Sequence, residues 1–224
     1  MTDASTLAMR RPTASHAERS PMRVQAPPME GRGVQLRRVT PGDYEFLYWL
    51  ATARETGFRW RYRGMTPSPE EFTRTLWDGI FAQFIVAGGD GTPIGLVMAY
   101  GAHPRDGYVY LGAVAVPDEI GTGRLVVGTI VFIEYLFAVG SFRKIYLEAP
   151  EFNISQFGHG LHRNCSEEAR LHDHEWYGDR WWDLVTLAIY RERWRTDGAR
   201  LVRYALGDPA VDPQRPRREA GDGG

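Results

Sequence analysis

Between Tyr110 and Asn153 the chain reads YLGAVAVPDEIGTGRLVVGTIVFIEYLFAVGSFRKIYLEAPEFN. An apolar strand is followed by a glycine-bearing turn, Gly121-Thr122-Gly123, then by a long apolar helix and a second strand over Ile145 to Ala149. Two strands joined through a helix form a βαβ unit, because parallel neighbours need a crossover of helix length. This places the chain among α/β folds. Glycines just ahead of a helix let a ligand approach the backbone, and the free N–H groups of the first helical turn carry partial positive charge. An anionic ligand is therefore expected at Gly121, Thr122, Gly123 and Arg124.

The 224 residues suffice for one domain with a full core, and the formal net charge of -1 gives no global field for nucleic acid or an anionic membrane. The single Cys165 excludes an internal disulfide framework and fits a reducing compartment. No secretory h-region precedes residue 34, and the apolar run Leu125 to Val139 is broken by Glu134 and falls short of the ~18 residues of a membrane span. A cytoplasmic location, with no membrane and no nucleic-acid partner, is the expectation. Pro, Arg, Ser and Ala dominate residues 1–33, and Pro, Asp, Gly and Arg dominate 207–224. Both are expected to be disordered and to flank one domain over 34–206.

Within that domain, Val34 to Val39 suits a first strand, and Thr40-Pro41-Gly42-Asp43 reads as a helix start with Thr40 as N-cap and Asp43 reaching back to it. Ser68-Pro69-Glu70-Glu71 repeats the signal. Between them Phe58, Trp60 and Tyr62 alternate with Arg59, Arg61 and Arg63; an extended segment would put the aromatics on one side and the arginines on the other, where they could hold an anionic group. Strands over Phe84–Ala87 and Ile94–Tyr100 meet across Gly88-Gly89-Asp90-Gly91, and a third runs over Tyr108–Val116. The central helix is expected to stop near Gly140 as a C′ glycine. Glu168–Tyr177 and Trp181–Tyr190 form a closing hairpin around Gly178-Asp179. The fold expected is mixed α/β, with a mostly antiparallel central sheet and flanking helices.

This order, and the segment VPDEIGTGRLVVGTIVFIEYLFAVGSFRKIYLEAPEFN in particular, resembles the acetyl-coenzyme A binding core of the GNAT acetyltransferase superfamily. The downstream EEARLHDHEWYGDRWWDLVTLAIYRERW is similar to the ending of its ribosomal-protein and spermidine acetyltransferase branch. The family's diphosphate loop reads Arg/Gln-x-x-Gly-x-Gly/Ala. Aligned on the helix, Ile120 takes the Arg/Gln place, Gly123 the first glycine and Leu125 the last small residue, so one of these positions is kept.

The resemblance implies an acyltransferase that moves an acetyl group from acetyl-CoA to a primary amine of a small molecule or protein N-terminus, with no metal. Homodimers are frequent in that branch. Backbone N–H groups over Val114 to Val116 would hold the pantetheine, with Asn153 after the second strand as a further cofactor-side residue. A general base must free the amine, and Glu148, a carboxylate in an apolar strand, leads the candidates ahead of Tyr110 and Tyr146. The family's acid tyrosine aligns with Gly160; Ser155 and His159 are the neighbours that could replace it. Acidic Glu167, Glu168, Asp173 and Glu175 suit a cationic acceptor. His172 and His174 would share one strand face, but no third metal ligand is spaced with them. Two alternatives stand beside this reading: a catalytically degenerate GNAT-like binding or regulatory module, and an acyltransferase using a carrier-bound or longer acyl donor.

Overall fold

The glycine turns put consecutive strands side by side, and in the computed structural model, which describes residues 26–57 and 60–211, they build one eight-stranded sheet. Its strands are β1 (Glu30–Gly31), β2 (Val34–Arg38), β3 (Ile80–Gly88), β4 (Pro93–His103), β5 (Tyr108–Ala115), β6 (Lys144–Pro150), β7 (Ser166–Tyr177) and β8 (Arg180–Tyr190). They lie in the order β1-β2-β3-β4-β5-β6-β8-β7. All neighbours are antiparallel except β5 and β6, the two strands of the βαβ unit. The closing hairpin turns at Gly178 and Asp179, both with φ of 60°, as a two-residue turn matched to strand twist requires.

Helix α3 (Arg124–Val139) crosses one face of the sheet. Its Ile130, Val131, Phe132, Ile133 and Leu136 join Val86, Val97, Val109, Leu111, Ile145, Leu147 and Val185 in the main core. Gly128 lets it approach: a Cβ there would stand 2.6 Å from Val86. Helices α1 (Tyr44–Thr52) and α2 (Pro69–Thr75) cover the other face, where Leu47, Leu50, Phe72 and Leu76 pack on Ile85, Leu96 and Met98. Strand β4 is buried from Ile94 to Ala99 because it is covered on both sides.

The helix starts follow the sequence. The Asp43 carboxylate accepts the backbone N–H and the hydroxyl of Thr40, both at 2.8 Å, and Ser68 accepts the N–H of Glu71 at 3.2 Å. Glu134, the charge inside α3, takes the indole N–H of buried Trp194 at 2.5 Å.

Several expectations need correction. Glu30–Gly31 falls inside the expected leader yet pairs with β2, and the Arg32 N–H bonds to Ala205 O at 2.7 Å. Helices α5 (Arg191–Thr196) and α6 (Ala199–Ala205) follow β8, and α6 packs near α3. Neither announces itself, because both are shorter than two turns and lack a long apolar stripe. The α3 terminus at Gly140 is extended, with φ of -117°, instead of left-handed. Glycine is needed there because a Cβ would meet the Phe142 ring at 2.3 Å. The carbonyls at this end are capped by Arg191, which donates to Phe137 O at 2.6 Å, to Gly140 O at 2.5 Å and to Phe142 O. Residues 1–25 of the leader, 212–224 of the tail, and Phe58 and Arg59 lie outside the described residues.

Candidate functional site: a cleft at the splayed strands

Strands β5 and β6 are paired only from Tyr108↔Lys144 to Leu111↔Leu147; beyond that point they part, and β5 keeps its bonds to β4 alone. The gap opens into a cleft of about 920 Å³ lined by Gly112 to Ala115 on one side and Leu147 to Pro150 on the other. Its floor reaches the start of α3 through Gly121, Gly123, Leu125 and Val126. Val116 donates its N–H to Ile94 O at 2.9 Å, so that amide belongs to the sheet and is not available to a ligand. By the alternation of antiparallel pairing, Val114 also faces β4, while Ala113 and Ala115 turn their backbone groups into the splay. Of the amides expected from Val114 to Val116, only that of Ala115 faces the splay, joined there by Ala113, and Val114 contributes its side chain to the cleft wall.

The loop before α3 is tied to itself. Thr122 Oγ1 donates to Glu119 O at 3.0 Å and accepts the Arg124 N–H at 3.2 Å; the Arg124 guanidinium meets the Glu119 carboxylate at 2.6 Å. Arg124 thus points to Glu119 and the Gly88 turn, and neither it nor Thr122 lines the cleft. Gly121 and Gly123 have φ of 85° and 79°, and open space lies where a Cβ would stand on each. That bare patch above a helix start, continuous with the splay, fits a diphosphate carrying an extended pantetheine.

Glu148 lines the cleft one residue past the last β5–β6 pair, exposed, with Thr186 donating to it at 3.3 Å. Asn153 lines it too, from the turn after β6, and accepts from Gln156 at 3.3 Å. Tyr110 and Tyr146 are half-buried on the same sheet face as Glu148, stacked on each other at 5.2 Å, but lie outside the cleft lining. Tyr146 is further engaged by Glu168, at 2.8 Å, and by the Lys144 ammonium 4.4 Å above its ring. Lys144 itself bonds Glu168 at 2.7 Å; burial lowers its pKa, but Glu168 and Tyr146 together outweigh this and the net shift is upward. Glu168 thereby serves a buried cation.

The far wall comes from segments remote in sequence. Trp60, buried, donates its indole N–H to Met98 Sδ at 3.4 Å, and Tyr100 stands beside them on β4. Over its described part, residues 60–64, the arginine run is a series of turns, with Arg61 and Arg63 at φ of 31° and 48°, so the expected alternation of faces is broken from Trp60 to Arg63. Arg61 donates to Leu76 O at 3.1 Å and to Thr75 O, and Arg63 bridges the cleft to Glu175 of β7 at 2.5 Å. The His172–Glu175 segment is bulged: Leu171 is opposite Leu184 and Glu175 opposite Trp182, so β7 carries two extra residues and the shared face of His172 and His174 is lost. His172 Nδ1 instead lies 3.0 Å from Asp183. Ser155 lines the cleft, whereas His159 and Gly160 do not. Burial pushes the Cys165 thiol up to about 12, which keeps it protonated and unreactive.

A splayed parallel pair inside an antiparallel sheet, with a glycine-opened helix start at the splay, is the fold that solved acetyltransferase structures have. Spermidine N-acetyltransferase from Vibrio cholerae in complex with CoA and spermine superposes with a TM-score of 0.65 at 19% identity, over 73% of this chain and 99% of that one. Mutant forms of the spermidine/spermine N-acetyltransferase SpeG from the same organism give 0.61 at 18%, over 74% and 98%. No family model and no curated protein matches the sequence. Among the described residues, no helix is long and apolar enough to cross a membrane.

Proposed function

We propose that this protein is an N-acetyltransferase that moves an acetyl group from acetyl-CoA to a primary amine. The observation that carries the proposal is the continuity of the splay with the open glycines at the head of α3. In this reading the diphosphate sits over Gly121 and Gly123, the amides of Ala113 and Ala115 meet the pantetheine and polarise the thioester carbonyl, and Asn153 borders the donor from β6's side. The acceptor enters from the Trp60, Tyr100 and Glu175 wall, and Glu148 takes its proton. Tyr110 and Tyr146 are assigned to packing beneath Glu148, as their stacking supports. The solved neighbours include a complex with CoA and spermine, which favours a cationic amine as acceptor. A cytoplasmic, homodimeric enzyme completes the proposal, with the open edge of β7 as a pairing surface.

Leu125 at a family small-residue position and the Glu119 carboxylate at the helix mouth favour one second reading, a non-catalytic module of the same fold. Calorimetric titration with coenzyme A separates the two. Saturable binding below millimolar ligand is expected; its absence would remove the acetyltransferase reading.

A further inference from the structure

Tyr100 stands where the strands part. It lies on β4 opposite Tyr110, half-buried, with its ring stacked on the Tyr110 ring at 5.6 Å. Gly112 comes next on that face of β5, and a Cβ there would stand 3.6 Å from Tyr100 Cε1 and 3.4 Å from Met98 Cγ. With no side chain at Gly112, the edge of the Tyr100 ring is bare toward the cleft. Gly112 and Glu148 are the first residues beyond the last β5–β6 pair, so Tyr100 and Glu148 flank one opening. Burial, and after it the Glu148 carboxylate, push the Tyr100 phenol up to about 12, so its hydroxyl keeps its proton at neutral pH. The other tyrosine of the cleft, Tyr177, is at the tip of the closing hairpin, 39% exposed and stacked on Phe152 at 5.0 Å. Gly160 faces α6, where a Cβ would stand 3.0 Å from Leu201, so helix α4 (Gly158–His162) offers no hydroxyl there.

We infer that Tyr100 is the proton donor to the departing sulfur, paired with Glu148 across the splay. The inference rests on the acetyltransferase reading. Of the two protons that the acceptor ammonium loses, Glu148 takes the first and passes it to solvent. The amine lone pair then forms the C–N bond, the C–S bond breaks with its electron pair on sulfur, and the Tyr100 hydroxyl proton moves to that sulfur. The second nitrogen proton goes to Glu148 and from there restores the phenol.

Tyr100→Phe keeps the ring and its stack while removing the hydroxyl. With coenzyme A affinity within about twofold of the parent, kcat should fall about tenfold to a hundredfold. A second readout needs no turnover: the thiol of bound coenzyme A, followed by thiolate absorbance, should titrate about one unit higher in Tyr100→Phe, because a hydrogen bond favouring the thiolate is gone. An unchanged thiol titration and an unchanged kcat, with binding intact, would overturn the role of Tyr100 and leave the acetyltransferase reading standing. If the parent itself binds no coenzyme A, both fall together.

Discussion

A carboxylate in this protein does what its neighbours dictate. Asp43 is held by the Arg37 guanidinium at 2.7 and 2.9 Å, with further help from Thr40, and its pKa falls from 3.8 to about 2. A folded pKa below the unfolded one means stability that is complete above pH 3.8 and is lost as pH falls through about 2. Asp43→Asn should therefore cost about 1–2 kcal/mol at neutral pH, a figure reduced because Arg37 is partly exposed, and the gap to the parent should close in strong acid. Urea melts at several pH values measure it. Glu148 differs: among the described residues its one side-chain hydrogen-bond partner is Thr186, and it looks into the cleft. Glu148→Gln keeps the shape and should slow transfer by at least about tenfold to a hundredfold with donor affinity intact. Parental rates across the pH range would remove it as the base. Glu148 was legible in the sequence as a charge inside an apolar strand. Tyr100 was not, because a tyrosine in an alternating strand carries no mark of whether it will border a cleft.

At the scale of elements, α3 joins fold to site through its two ends. Its first turn is the proposed anion platform, so Gly123→Glu, adding bulk and like charge, should weaken coenzyme A binding by about 2 kcal/mol, some thirtyfold, in a calorimetric titration. Its last carbonyls are held by Arg191 of α5. Arg191→Leu should lower stability by about 2–3 kcal/mol in chemical denaturation, since charged hydrogen bonds to part-buried carbonyls are lost. The helix, its glycine boundaries and the strands around it could be read from apolar pattern and turn residues. The described part of the aromatic–arginine run, Trp60 to Arg63, misled because alternation predicts faces only in an extended chain; Arg61 and Arg63 adopt left-handed turns that bind the α2 end and Glu175. Likewise the bulge at His172–Glu175 depends on pairing with β8, which no local pattern encodes.

For the whole molecule, the order of elements set the sheet, while the cleft walls depend on which distant segments meet. Trp60, Tyr100, Glu148 and Glu175 come from four separate elements or loops, and only the folded sheet brings them to one opening. The boundaries also moved outward, to β1 before Val34 and to buried Val211 after Gly207. Removing residues 1–25 and 212–224, whose composition offers little apolar surface to bury, should leave the melting temperature within a few degrees. A larger fall in a thermal scan would show that a terminal segment docks on the domain. The central claim is acetyl transfer through the splayed cleft. It is tested most directly by incubating the protein with acetyl-labelled acetyl-CoA and spermidine or other primary amines, and following label in the amine. The account predicts labelled amide from the parent at a rate well above the protein-free control and from Glu148→Gln at least about tenfold more slowly; no labelled amide from any amine, in a protein that binds coenzyme A, would contradict it.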